Sequence, residues 1–129
     1  MMTIRNVRIA VVDDDFRVRE ALTELLESDG HVVRPFASAQ AFLEAKALSE
    51  VDCLILDIGM PVVSGLDLRS QARAERPNIP VIFITARDRE TDLLRAEAGG
   101  HDGFFRKPFD GNALLNAITE AVSRRDPPI

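Results

Sequence analysis

Three apolar runs in this chain each stop at a polar residue. Ile9-Ala10-Val11-Val12 runs into Asp13-Asp14, Cys53-Leu54-Ile55-Leu56 into Asp57, and Val81-Ile82-Phe83-Ile84 into Thr85. Short, β-branched runs without apolar–polar alternation are what strands look like when helices cover both faces of a parallel sheet. If the three strands point the same way, their C-terminal ends share one edge, which is where open α/β folds bind ligands. Asp13, Asp14, Asp57 and Thr85 are therefore expected at one place, although 72 positions separate Asp13 from Thr85.

The stretches between the runs read as helices. Phe16 to Ser28 carries Val18, Leu22, Leu25 and Leu26 at helical spacing, with Asp14 or Asp15 to cap its start and Gly30 to end it. His31 to Phe36 reads as a second strand, and Ser38 caps a short helix containing Phe42, Leu43 and Ala45. After the strand Val51 to Asp57, the segment 58–63 is a Gly- and Pro-punctuated loop. Ser64 and Asp67 have capping-box spacing and open a third helix that ends before Pro77. A strand from Pro80 to Thr85 precedes a helix over Arg89 to Ala98, which stops at Gly99-Gly100. Gly103 to Arg106 is the fifth strand, and Asp110 caps a last helix with Leu114, Leu115, Ile118 and Val122 inward. Five strands alternating with helices predict a (βα)5 doubly wound parallel sheet, flavodoxin-like, with 2-1-3-4-5 as one of the two common strand orders. In that order Asp57 stands between Asp13/Asp14 and Thr85, and Lys107 lies one strand further out. The expected division is one domain over residues 1–124 and a linker or tail over 125–129.

The bulk properties narrow the function classes. Sixteen Lys and Arg against 21 Asp and Glu leave a net charge of −5, which argues against direct nucleic-acid binding. No apolar stretch approaches the roughly 18 residues of a membrane helix, and the N-terminus lacks a secretory h-region. The one cysteine, Cys53, sits inside an apolar run and reads as a small buried hydrophobe. A cytoplasmic location is the expectation. His31 and His101 lie far apart without ligand-like spacing and read as surface residues.

Three carboxylates at one sheet edge repel: two unit charges about 4 Å apart cost roughly 4 kcal/mol at an effective dielectric near 20. A proton can relieve this by raising one pKa, and a divalent cation relieves it better. Clustered oxygens without His or thiolate suit Mg²⁺ or Mn²⁺. With the Lys107 ammonium and the Thr85 hydroxyl added, the pocket suits a phosphoryl group, and a carboxylate within it can act as nucleophile toward phosphorus.

The ordered set Asp13-Asp14, Asp57 with Met60-Pro61 and Gly65, Thr85-Ala86, and Lys107-Pro108-Phe109 resembles the receiver domain of two-component response regulators over about Arg8 to Val122. That resemblance implies that Asp57 accepts a phosphoryl group from a sensor histidine kinase. It implies that Asp14, Asp57 and the Gly59 main-chain carbonyl ligate Mg²⁺, with Asp13 acting through a metal-bound water. Lys107 pairs with a phosphoryl oxygen, Thr85 turns its hydroxyl onto it, and Phe104 is the aromatic switch that follows Thr85 inward. A cis Lys107-Pro108 bond is also implied. So is a change at the fourth helix, fifth strand and fifth helix, about Arg89 to Val122, that favours homodimerisation or release of an output domain. Such a module signals and has at most self-phosphorylation and self-dephosphorylation activity. Thr85 with Phe104 is closer to regulators with a C-terminal helix-turn-helix DNA-binding domain, here outside the chain, and so to transcription regulation.

Competing readings are an Asp-based phosphatase-like enzyme, a flavodoxin-like FMN binder, and a receiver that works as an interaction module without phosphate. The phosphatase class puts its nucleophile in a D-x-D after the first strand, leaving the Met60-Pro61 loop unexplained. An FMN binder needs a hydroxyl- and glycine-rich loop where this chain has three aspartates. One departure from the family pattern is Gly59, two residues after Asp57, where a side chain usually modulates phosphoryl lifetime. Arg87, two residues after Thr85, is expected to reach over the phosphoryl group and stand in for it. Arg87→Ala should then change the dephosphorylation rate of the phosphorylated protein; a rate equal to wild type removes Arg87 from the mechanism.

Overall fold

The computed structural model describes residues 7–86 and 90–125. Along them strands and helices alternate as β1 Arg8–Val12, α1 Phe16–Ser28, β2 Val32–Phe36, α2 Ala39–Glu44, β3 Cys53–Asp57, α3 Gly65–Glu75, β4 Val81–Thr85, α4 Glu90–Gly99, β5 Gly103–Arg106 and α5 Gly111–Arg125. A single 3₁₀ turn, Leu48–Glu50, precedes β3. Every strand pairing is parallel, and the strand order is β2-β1-β3-β4-β5. The architecture is the one expected from the sequence, with β5 matching and the other four strands one or two residues shorter at one end. The Asp13 N–H still donates to the Phe36 carbonyl, 3.1 Å away, so the first strand continues toward its neighbour for one residue beyond the formal end of β1.

Successive side chains of a strand point to opposite faces of its sheet. Ala10, Val12, Leu54, Leu56, Val81 and Phe83 form one core with Phe42, Leu66, Leu68, Ala72 and Ala96 of α2, α3 and α4. Ile9, Val11, Cys53, Ile55, Ile82 and Ile84 form the other with Leu22 and Leu26 of α1 and Leu114 and Ile118 of α5. Both faces are dry, which is why the strand sequences do not alternate. Cys53 is fully buried as expected, and that burial pushes its thiol pKa up.

Local signals set the helix starts. Asp15 Oδ1 accepts the Arg17 N–H at 2.9 Å, and Ser38 Oγ accepts the Ala41 N–H at 3.0 Å. Ser64 and Asp67 form the capping box, and Asp110 Oδ1 accepts the Asn112 N–H at 2.9 Å. Gly30, at φ +89, ends the first helix in the left-handed region that glycine tolerates. The histidines differ from the sequence reading. His31 is buried, because the turn from α1 into β2 carries its ring beneath the first strand, where Nδ1 accepts the Val7 N–H at 3.4 Å. His101 turns inward as well: its ring lies 6.1 Å from those of Phe83 and Phe104.

The loop after β3 returns tightly. A Cβ on Gly65 would stand 2.6 Å from the Asp57 carbonyl oxygen, so α3 begins against the backbone of the strand that carries Asp57. Gly65→Ala is expected to destabilise the protein by about 1–3 kcal/mol in urea unfolding, because the atom it meets is main chain and cannot swing away. Ser64→Ala, which removes only a cap, should cost about 1 kcal/mol. A Gly65→Ala variant as stable as wild type would show that the close approach does not constrain the fold.

Candidate functional site

At the C-terminal edge of the sheet, Asp13, Asp14 and Asp57 each present a carboxylate oxygen, and these oxygens lie within 4.8 Å of one another. Asp13 and Asp57 are buried and Asp14 is exposed, so the cluster opens to solvent on one side. Two parallel neighbours, β1 and β3, deliver these residues. Val12 pairs with Leu56, which places the residues that follow each of them side by side.

Lys107 comes from the far side of the sheet, just past β5. Its Nζ donates to Asp13 Oδ2 at 2.9 Å and stands 3.8 Å from Asp57 Oδ2. Its shorter contact is therefore with Asp13. The reason is burial. The Asp13 side chain is 0% exposed, and its two oxygens are held by the Lys107 ammonium and the Asp15 N–H, at 2.9 and 2.8 Å. Asp57 has its own neutral donor, the Gly59 N–H, 2.9 Å from Oδ1. Three carboxylates and one ammonium leave two negative charges uncompensated.

That imbalance registers at Asp57. Burial raises its pKa to about 6 from the usual 3.8, and the charges of Asp13 and Asp14 push the same way; the Gly59 N–H and Lys107 act against them. The donor set fits a hard divalent cation: oxygens only, two of them buried, with a net charge equal and opposite to that of such an ion.

Thr85 ends β4 fully buried, and its carbonyl accepts the Lys107 N–H at 2.8 Å. It follows Phe83 by two residues and so lies on the α3/α4 face of the sheet, whereas Asp57 follows Ile55 on the α1/α5 face. Phe104 pairs in register with Phe83 and packs half-buried against the same core as Phe83, with the two ring centroids 6.5 Å apart. The Lys107-Pro108 bond is cis. Arg87 lies outside the described residues. The inward ring of His101 beside Phe104 was missed in the sequence, where a lone histidine in a glycine-rich turn carries no periodic signal.

Residues 9–119 match the family model for the response regulator receiver domain. The chain belongs to that family. This receiver domain is 40% identical over 121 residues to the response regulator protein TodT of Pseudomonas putida, covering 94% of the chain and 53% of the relative. It is 36% identical over 116 residues to the transcriptional regulatory protein FixJ of Azorhizobium caulinodans, covering 90% and 55%. A receiver domain from Clostridium thermocellum superposes with a TM-score of 0.86 at 28% identity, covering 92% of this chain and 96% of that one. The chain spans about half the length of the curated relatives it matches. Among the described residues, no helix is long and apolar enough to cross a membrane.

The raised pKa of Asp57 fixes the sign of a pH effect. The folded receiver holds this proton more tightly than the unfolded chain does. The stability it contributes is present below the ordinary carboxylate pKa and is lost as pH rises through about 6. Asp57→Asn keeps an acceptor for the Gly59 N–H but removes the charge. In buffer free of divalent cations it should raise Tm by about 2–8 °C near pH 8 and change it little near pH 4. Equal Tm values for the two proteins near pH 8 would contradict the burial of an uncompensated charge.

Proposed function

We propose that this receiver domain is phosphorylated on Asp57, with a phosphohistidine of a sensor histidine kinase as donor. The observation that carries the reading is the meeting of three carboxylates with one lysine, two negative charges short of neutral, at the sheet edge. Asp13, Asp14, Asp57 and the Gly59 carbonyl would hold Mg²⁺, or Mn²⁺ in its place; when bound it offsets carboxylate charge and draws phosphoryl oxygens into the pocket. Asp57 Oδ1 is tethered by Gly59, so Oδ2, the oxygen facing Lys107, attacks phosphorus. The O–P bond forms as the donor's N–P bond breaks, and the histidine leaves with the electron pair. Lys107 then follows the added charge from Asp13 to a phosphoryl oxygen, and Thr85 donates its hydroxyl to another. Phosphorylation adds about −1.5 to −2 charges, enough to bias a two-state element.

The element biased is the surface of α4, β5 and α5, with Phe104 as its ring. Its output is homodimerisation or release of a C-terminal DNA-binding domain; the FixJ relative is a transcriptional regulator. The domain proper is residues 1–124 and the tail 125–129, with α5 running one residue past that boundary, to Arg125. It acts in the cytoplasm as a phosphoacceptor switch, limited to self-phosphorylation and self-dephosphorylation, and makes no direct contact with nucleic acid or membrane. Gly59 and Arg87 set the phosphoryl lifetime. Among the described residues the glycines at positive φ are Gly30 and Gly100, so backbone conformation does not require glycine at position 59.

Incubation with acetyl phosphate and Mg²⁺ tests this reading by intact mass. Wild type should gain one phosphoryl group and Asp57→Ala none, while Lys107→Met should be phosphorylated more slowly by about 10-fold or more. Chelation of divalent cations should abolish labelling. A wild-type protein that stays unmodified, or an Asp57→Ala protein that is modified equally, rejects the assignment.

A further inference from the structure

The last turn of α4 contains no basic residue to meet its exposed carbonyls. Helix C-termini leave such carbonyls without intrahelical partners and carry partial negative charge. The cation comes instead from α3. Arg69 is buried, and its Nη1 donates to the Ala96 carbonyl at 2.8 Å and to the Gly100 carbonyl at 2.9 Å. Its Nη2 donates to the Arg95 carbonyl at 3.2 Å. One turn further along α3, Arg73 Nη1 donates to the carbonyls of Gly99 and Gly100 at 3.2 and 3.1 Å.

Two features show that the guanidinium of Arg69 is built in. A Cβ on Gly99 would stand 2.2 Å from Arg69 Nη2, so the helix ends in glycine where the arginine enters. Its central carbon lies 5.1 Å above the Phe83 ring, a cation–π distance. Phe83 in turn touches Phe104 and His101. His101 closes the path back to α4, with Nε2 3.0 Å from Glu97 Oε1. The end of α4 and the β4 ring therefore meet at one buried cation from α3, and the β5 ring is linked to it through Phe83.

We propose that Arg69 is a positioning residue that clasps the C-terminal end of α4 and couples it to Phe104. The phosphorylation-driven change of this surface then turns about that end of the helix rather than displacing it. The proposal rests on the switch reading above. A lysine could keep the charge but not the three-carbonyl fork, and a leucine would keep the volume near Phe83 but neither charge nor fork.

Amide hydrogen exchange on the full chain tests it, for wild type, Arg69→Leu and Arg69→Lys, with and without Mg²⁺ and beryllofluoride. Without ligand, amides 96–102 should exchange about 10-fold faster in Arg69→Leu than in wild type, with Arg69→Lys between them. Acetyl phosphate should label Asp57 in all three within about twofold, since Arg69 touches no residue of the acidic pocket. On adding Mg²⁺ and beryllofluoride, wild type should change protection at residues 103–106, and Arg69→Leu should lose most of that change. Wild-type exchange at 96–102 in Arg69→Leu overturns the clasp. Faster exchange there with an undiminished response at 103–106 leaves Arg69 purely structural and overturns the coupling. Should circular dichroism show Arg69→Leu unfolded, Arg69→Lys carries the same two criteria. A wild-type protein that is not labelled at Asp57 fails the switch reading, whereas the unliganded exchange still decides the clasp.

Discussion

The repulsion among Asp13, Asp14 and Asp57 is the constraint around which the rest of this structure is arranged. Like charges this close are tolerated only with compensation. The folded chain supplies part of it through Lys107, 94 residues from Asp13 in sequence, and through main-chain donors at Asp15 and Gly59. Two negative charges remain. In the function proposed above, a divalent cation and a phosphoryl group would complete the neutralisation. Parallel pairing is indispensable, since reversing one strand would carry its carboxylate to the opposite edge.

The sheet also divides labour between its faces. Asp57 projects on the side of α1 and α5, Thr85 and Phe104 on the side of α3 and α4. Asp57 and Thr85 nevertheless end neighbouring strands at the same edge of the sheet. The two sides are joined where Lys107 emerges: its side chain reaches the acids and its N–H is bonded to the Thr85 carbonyl. Lys107 is thus bonded both to the acidic cluster and to the strand end that bears Thr85.

On the far side, α3 and α4 share the apolar core through Leu68, Ala72 and Ala96, and arginine side chains of α3 bond main-chain carbonyls of α4. Arg69, Arg73 and the buried carboxylate of Asp102, which accepts the Val81 N–H at 2.9 Å, tie the α4–β5 turn to α3 and β4. Such contacts are directional.

The sequence by itself determined a great deal. Unalternating runs gave parallel strands buried on both faces, capping residues gave the helix starts, and the polar residue at the end of each run marked the edge that Asp13, Asp14, Asp57 and Thr85 share. These features are local or depend only on strand polarity, so they survive translation into three dimensions. What tertiary structure alone decided is whatever depends on register and depth. An unalternating run announces two dry faces but does not say which side chain takes which, so the division of the strand residues between the two cores was invisible. The choice of Asp13 as the nearer partner of Lys107 turns on which carboxylate is deeper, which no spacing encodes. His31 and His101 read as surface residues because isolated histidines in turns carry no pattern, and nothing in the sequence singles out Arg69. Their burial follows from how α1, α3 and α4 pack onto the sheet, because only packing brings a guanidinium on one helix to the carbonyls that another leaves open.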